Sequence, residues 1–147
     1  MRSEKTRCGI CWILLLLKYF SLLFWRMASK SFEDLIVWQK AHQFVLDCYG
    51  YTRGFPREEM FVLSAQMRRA AISIPANIAE GFRKRSDAEK LRYYNIAQGS
   101  IEESSYYLIL SPDLGYGSVS DLRPQLNEVS RLLETYTQTM RRRSQSR

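Results

Sequence analysis

Residues 66–81 read QMRRAAISIPANIAEG, and this stretch decides the fold. Together with Leu63, this stretch carries apolar side chains at spacings of three and four, which is the period of one helix face. These positions are Leu63, Met67, Ala70, Ile74 and Ile78. Pro75 lies inside the pattern and is expected to kink the helix because it lacks a backbone donor. The sequence therefore predicts an amphipathic second helix that begins near Pro56 and stops at Gly81.

A first helix is predicted upstream, over residues 32–51. Its apolar face is Leu35, Trp38, either Ala41 or His42, Val45 and Tyr49. Ser31 is its predicted N-cap, and Asp34 stands three residues later in the capping-box position.

Two more helices follow. Ser86 is expected to cap the third, and Pro112 with the LGYG stretch at 114–117 is expected to mark its end. Its core face is Leu91, Tyr94, Ala97, Ile101 and Leu108. The fourth covers residues 119–140 with a heptad seam at Leu122, Leu126, Val129, Leu133, Tyr136 and Met140. Because the connections are short, the prediction is an all-α, antiparallel up-down four-helix bundle with a proline-kinked second helix.

Charge and composition limit the function classes. The 147 residues are 46% hydrophobic and 25% charged, which is typical of a globular chain. The net charge is +7, but residues 1–26 hold five bases against one acid. The remaining residues hold 17 bases and 14 acids, so nucleic-acid binding would need local clusters of bases. Three cysteines suggest no disulfide framework and favour a reducing cytoplasm.

The N-terminal segment is a separate question. Residues 9–25 read GICWILLLLKYFSLLFW between basic flanks. A membrane anchor would need a longer apolar run without Lys18, and a secretory signal would need a small-residue cleavage site. We favour a third interpretation, in which translation starts at Met27 and residues 1–26 come from an over-extended reading frame. The predicted domains are this segment, the bundle over 27–140, and a basic disordered tail over 141–147.

Catalytic and metal sites are not predicted. His42 is the single histidine in the sequence, so a two-histidine metal site cannot form. No phosphate-binding glycine loop is present, and the Cys8-x-x-Cys11 pair lacks further ligands. We expect a protein that is not an enzyme and uses no cofactor.

Two polar stripes run along the middle helices. Arg69, Ser73, Asn77 and Glu80 share a face of the second, and Asn95, Gly99 and Glu102 or Glu103 share a face of the third. They are expected to form interhelical hydrogen bonds, with Gly99 allowing close approach and Asn77 meeting the carbonyl that Pro75 frees. The alternative is a functional groove or a subunit interface.

A basic cluster surrounds the turn between these helices. Its members are Arg68, Arg69, Arg83, Lys84, Arg85, Lys90 and Arg92. Such bases can bind phosphates, and Phe82, Tyr93 and Tyr94 among them could stack on unpaired bases. The alternative is a solvated end of the bundle.

Four stretches resemble a known family. Residues 34–41 (DLIVWQKA), 66–81, 95–100 (NIAQGS, followed by Glu103) and 113–116 (DLGY) are similar to the bacterial four-helix bundle family named for reading frames in intervening sequences of 23S ribosomal RNA genes. The resemblance covers residues 32–133. It marks a set of structural motif residues: Trp38, Gln66, Ser73, Pro75, Asn77, Glu80, Gly81, Asn95, Gly99 and Glu103. The Ser111-Pro112 pair departs from the family and implies a shortened or bent third helix.

The resemblance implies a small cytoplasmic bundle that forms a homo-oligomer, typically a pentamer, and it supports a start at Met27. The family is similar to the accessory protein of diversity-generating retroelements, a basic pentamer that engages a reverse transcriptase and nucleic acid. Two functions remain open: binding of structured RNA or a ribonucleoprotein through the basic cluster, or a protein adaptor that uses exposed aromatics such as Tyr106 or Tyr107. A membrane role depends on whether residues 1–26 are translated.

Overall fold

The computed structural model describes residues 30–145, and within that range it contains helices and turns but no strand. Four α-helices form the body: α1 (Ile36–Thr52), α2 (Leu63–Arg83), α3 (Asp87–Asp113) and α4 (Leu122–Gln145). Each packs against its two neighbours, and α4 closes back onto α1. The predicted all-α four-helix bundle is confirmed. The interpretations of residues 1–26, and of the last two residues of the tail, lie outside the described residues.

The chain enters α1 through a short 3-10 turn, Phe32–Asp34. The predicted capping box is present: the Ser31 hydroxyl accepts from the Glu33 N–H (3.3 Å), and Asp34 Oδ2 accepts from the Ser31 N–H (3.0 Å). Leu35 then adopts extended backbone angles, so the α-helix begins at Ile36 rather than at the predicted residue 32.

The second helix begins later than predicted. A 3-10 turn, Arg57–Glu59, follows Pro56, and α2 starts at Leu63. The Glu59 carboxylate accepts from the Leu63 N–H (3.1 Å), which satisfies one of the free donors at the helix start. Pro75 is buried inside α2, and the helix continues through Gly81 to Arg83.

The third helix ends where predicted, whereas the fourth extends further than predicted. The α3 helix runs one residue past Pro112 to Asp113, and Gly115 follows with a φ of 81°. The helix thus ends between Pro112 and the predicted stop at 114–117. The α4 helix covers Leu122–Gln145, so residues 141–145, predicted as disordered tail, are helical. Their arginines favour helix, and neither glycine nor proline interrupts them.

The core lies between the four helices. All five predicted apolar positions of α2 are buried, and Phe44, Cys48 and Tyr94 are completely enclosed. On α1 the choice between Ala41 and His42 resolves to Ala41, which is fully buried, whereas His42 is exposed. None of the helices between residues 30 and 145 is long and apolar enough to cross a bilayer.

The helices alternate in direction, so the α1–α2 and α3–α4 connections meet at one end of the bundle. There the Tyr51 hydroxyl donates to Ser111 Oγ (3.1 Å), and the Tyr116 hydroxyl donates to Glu59 Oε1 (3.0 Å). Phe55 packs against the rings of Tyr51 and Tyr116. The opposite end holds the α2–α3 turn and the end of α4.

Candidate nucleic-acid interface

The α2–α3 turn presents three consecutive bases. Arg83 is the last residue of α2, and Lys84 and Arg85 follow before Ser86 caps α3 by accepting from the Glu89 N–H (3.2 Å). Arg83 and Arg85 are exposed. The Lys84 ammonium lies 4.5 Å from the centre of the Tyr93 ring, a cation–π contact. The predicted triplet therefore presents two guanidinium groups to solvent that no hydrogen bond or ion pair engages within residues 30–145.

The last turn of α4 lies at the same end and adds bases that the sequence had assigned to a tail. Ser144 Oγ donates to Asp87 Oδ2 on the first turn of α3 (3.3 Å). Arg141 and Arg142 precede Ser144 by one turn and are both exposed. We call the surface formed by Arg83, Arg85, Arg141 and Arg142 the basic end. The helical propensity of residues 141–145 was the signal that could have revealed it.

Helix dipoles account for part of this charge. A helix dipole stabilises bases at the C-terminal end of a helix and acids at its N-terminal end. The last turns of α2 and α4 accordingly carry Arg83 and Arg142. The first turn of α3 carries Asp87 and Glu89. Arg85 lies beyond α2 in the turn, where the effect of the α2 dipole fades. Capping preferences alone therefore do not explain the cluster.

Two of the seven predicted phosphate-binding residues lie elsewhere. Arg68 and Arg69 are about four helical turns from the α2–α3 turn, or roughly 22 Å along the axis. Arg68 Nε donates to Thr52 Oγ1 (2.8 Å), and its guanidinium lies 4.8 Å from the centre of the Tyr49 ring. Arg68 thus joins α2 to α1, and the structure does not bring this pair to the basic end. Lys90 and Arg92 do lie there, on the first two turns of α3.

The aromatic residues near these bases have little free ring surface. Tyr94 is fully buried, and its ring meets Tyr136 edge-on at 5.4 Å. Phe82 is half-buried against the core, and Tyr93 is partly buried with the Lys84 ammonium over one face of its ring. The expectation that these rings stack on unpaired bases is wrong for Tyr94, because its packing leaves no surface.

Between residues 30 and 145, no group of three or more histidine, cysteine or acidic side chains is placed to hold a metal ion. Burial raises the pKa of the Cys48 thiol to about 12, although the nearby Arg68 charge opposes the shift. An open groove of about 430 Å³ between α1 and the start of α4 is lined by Leu46, Asp47 and Gln125 among others. It contains no nucleophile paired with a base.

One protein-family model matches the sequence of this chain. The model of the 23S rRNA-intervening sequence protein matches residues 33–135, which is more than half of the chain. The chain belongs to this family. No curated protein matches the chain closely enough to be counted as a relative.

Five of the motif residues that the family resemblance marks as structural do have internal roles. The Trp38 ring stacks on His42 at 5.1 Å. Gly81 is buried, and a Cβ there would lie 2.6 Å from Tyr94 Cε1, so only glycine lets α3 approach this closely. Pro75 is buried within α2, and Asn77 Nδ2 donates to Ser73 Oγ on the same helix. These three residues complete the group.

The polar stripes are expected to form hydrogen bonds between helices, and Ser73 on α2 makes such a bond. It accepts at Oγ from Ser100 Oγ on α3 (2.9 Å). Asn77 Nδ2 donates to the Ser73 carbonyl (2.7 Å), one helical turn back. The expectation that Asn77 meets the carbonyl freed by Pro75, which is that of Ala71, is therefore wrong. Gly99 has no atom within 4 Å of an added Cβ, so the expected close approach at Gly99 is also wrong.

The other family motif residues lie on the surface: Gln66, Glu80, Asn95, Gly99 and Glu103. They lie on the outer face of α2 and α3, where Ile96 and Tyr106 are also exposed, at 46% and 57%. Tyr107 is less available because its hydroxyl donates to Glu103 Oε1 (2.9 Å). Its partial burial and this bond raise the Tyr107 pKa. We call the surface of Ile96, Gly99 and Tyr106 the outer α3 face.

Proposed function

We propose that this protein is a non-enzymatic, homo-oligomeric bundle that binds structured RNA or a ribonucleoprotein through its basic end. The observation that carries the proposal is the set of exposed arginines that two helix ends and a turn bring to one end of the bundle. Guanidinium groups bind phosphates bidentately. The name of the family links it to intervening sequences of 23S rRNA, and RNA is therefore the first ligand to test.

The proposed oligomer uses the outer α3 face. Ile96, Gly99 and Tyr106 follow one another at spacings of three and seven, so they share one side of the helix. Gly99 leaves open space there, which would let a neighbouring backbone approach. A ring, which we propose to be a pentamer in the bacterial cytoplasm, would repeat the basic end once per subunit and raise the effective concentration of phosphate-binding groups.

The oligomer is tested by light scattering coupled to size exclusion. Ile96→Glu combined with Tyr106→Glu should convert the protein to monomers, because two charges would be buried in the interface. Leu46→Glu, on an equally exposed apolar residue of α1, is the matched control and should leave the mass unchanged. A wild-type monomer would contradict the proposed assembly.

RNA binding is tested by charge reversal in the turn. Replacing Arg83, Lys84 and Arg85 by Glu should abolish binding to a structured ribosomal RNA fragment and leave the helical circular dichroism signal intact. Unchanged affinity in this triple variant would remove the turn from the site.

A second candidate function is a protein adaptor with no nucleic-acid role. The exposed apolar residues favour it, above all Phe61, which is 85% exposed between Met60 and Val62 in the α1–α2 connection. Tyr106 supports it as well, whereas Tyr107 is tied to Glu103. An adaptor would bind its partner independently of the basic end, so the triple variant would retain full binding to that partner.

A further inference from the structure

The basic end is built by two separate parts of the chain. Arg83 and Arg85 come from the α2–α3 turn, and Arg141 and Arg142 come from the last turn of α4. The bond between Ser144 and Asp87 holds that last turn beside the start of α3. Within residues 30–145 no hydrogen bond or ion pair engages these four guanidinium groups. Arg143 has an interaction of its own and does not belong to the set.

We propose that these four arginines form one site for the phosphate backbone of base-paired RNA, in preference to unpaired RNA. The inference rests on the proposed function and specifies its ligand. Proteins that bind single strands combine positive charge with aromatic rings on which bases stack. The basic end has the charge but few available rings, since Tyr94 is buried and the Lys84 ammonium occupies one face of the partly buried Tyr93. At the same end, Trp38 on α1 is already stacked on His42.

Charge density then decides between the two forms of RNA. A duplex carries two strands of phosphates along its axis and releases more counterions than a single strand for each phosphate contacted. With four phosphate contacts per engaged subunit, log affinity should fall with log salt at a slope of about −3.6 for a duplex and about −2.8 for a single strand. If the two bind equally weakly at 1 M salt, the duplex binds about sixfold more tightly at 0.1 M.

The experiment measures binding of the full chain to a labelled RNA hairpin stem and to an unstructured single strand of the same length. Each titration is repeated across a series of salt concentrations. The variants are Arg141→Gln with Arg142→Gln, and Arg83→Gln with Arg85→Gln. The matched control is Arg53→Gln with Arg57→Gln, which removes two exposed arginines from the opposite end of the bundle. Glutamine keeps helical propensity close to that of arginine, so folding should be preserved.

The expected result is several-fold tighter binding of the stem, and a wild-type salt slope that either basic-end pair of substitutions halves. The control pair should leave the slope unchanged. Tighter binding of the single strand would overturn the duplex inference while the proposed RNA function stood. A slope unaffected by Arg141→Gln with Arg142→Gln would overturn the contribution of α4. Absence of wild-type binding to either RNA at low salt would contradict the proposed function itself.

Discussion

Arg123 on α4 donates through Nη2 to the carbonyl oxygen of Leu108 on α3, at 3.1 Å. Leu108 is four residues before Pro112, so its carbonyl is the acceptor that loses its helical partner when proline replaces an N–H donor. The guanidinium of a neighbouring helix supplies the missing donor. This explains how the last turn of α3 accommodates Pro112 while the Leu108 carbonyl keeps a hydrogen-bond donor.

Replacing Arg123 by Met should therefore destabilise the bundle by about 1–2 kcal/mol, since it leaves a largely buried carbonyl without a donor. In a Pro112→Ala background the same substitution should cost less, because the new N–H can bond to Leu108. Urea unfolding of the four proteins of this double-mutant cycle measures the coupling. Strictly additive effects would show that Arg123 does not act through the carbonyl at Leu108.

Gly81 and Gly99 form a contrasting pair of helical glycines. An alanine at 81 would place its Cβ 2.6 Å from Tyr94 Cε1, whereas the Cβ at 99 would meet nothing within 4 Å. Gly81→Ala should destabilise by about 1–3 kcal/mol, because overcrowding outweighs the gain in helix propensity. In the monomeric background of Ile96→Glu with Tyr106→Glu, Gly99→Ala should stabilise the fold by up to about 1 kcal/mol. Thermal or urea unfolding checks both; stabilisation by Gly81→Ala would contradict the packing described.

Cys48 should make stability depend on alkaline pH. Burial raises its pKa from 9.0 to about 12, so above pH 9 the unfolded chain loses this proton before the folded protein does. The stabilising contribution is complete below pH 9 and is lost as pH rises from 9 towards 12. The free energy of unfolding should fall more steeply for wild type than for Cys48→Ala, by up to about 1.4 kcal/mol per pH unit. Parallel curves from pH 8 to 10 would contradict a buried neutral thiol.

The core of the fold was predictable because apolar spacing reports burial directly. The stripe from Leu63 to Ile78 and the seam from Leu122 to Met140 both face inward as expected, apart from half-buried Tyr136. The Ser31 capping box was also predictable, because its two partners are only three residues apart.

The helix ends were harder to predict because contacts between distant segments decide them. The start of α2 depends on Glu59, which also accepts from Tyr116, a residue 57 positions away. The end of α3 depends on Arg123 from another helix. No local pattern contains either contact.

The candidate site was only partly predictable for the same reason. Arg83, Lys84 and Arg85 are consecutive, and the sequence places them in a turn. The contribution of Arg141 and Arg142 depends on α4 continuing to Gln145 beside Asp87. The adjacency of Arg68 and Arg69 to each other suggested a shared role, but the Arg68 side chain packs on Tyr49 of α1.

The central claim is that the basic end binds RNA phosphates. The measurement that tests it most directly is fluorescence anisotropy of the full chain with a structured ribosomal RNA fragment, titrated at low and near-physiological salt. The account predicts binding that weakens steeply as salt rises, because counterions released from the RNA drive it. Affinity that does not change with salt, or no binding even at low salt, would contradict it.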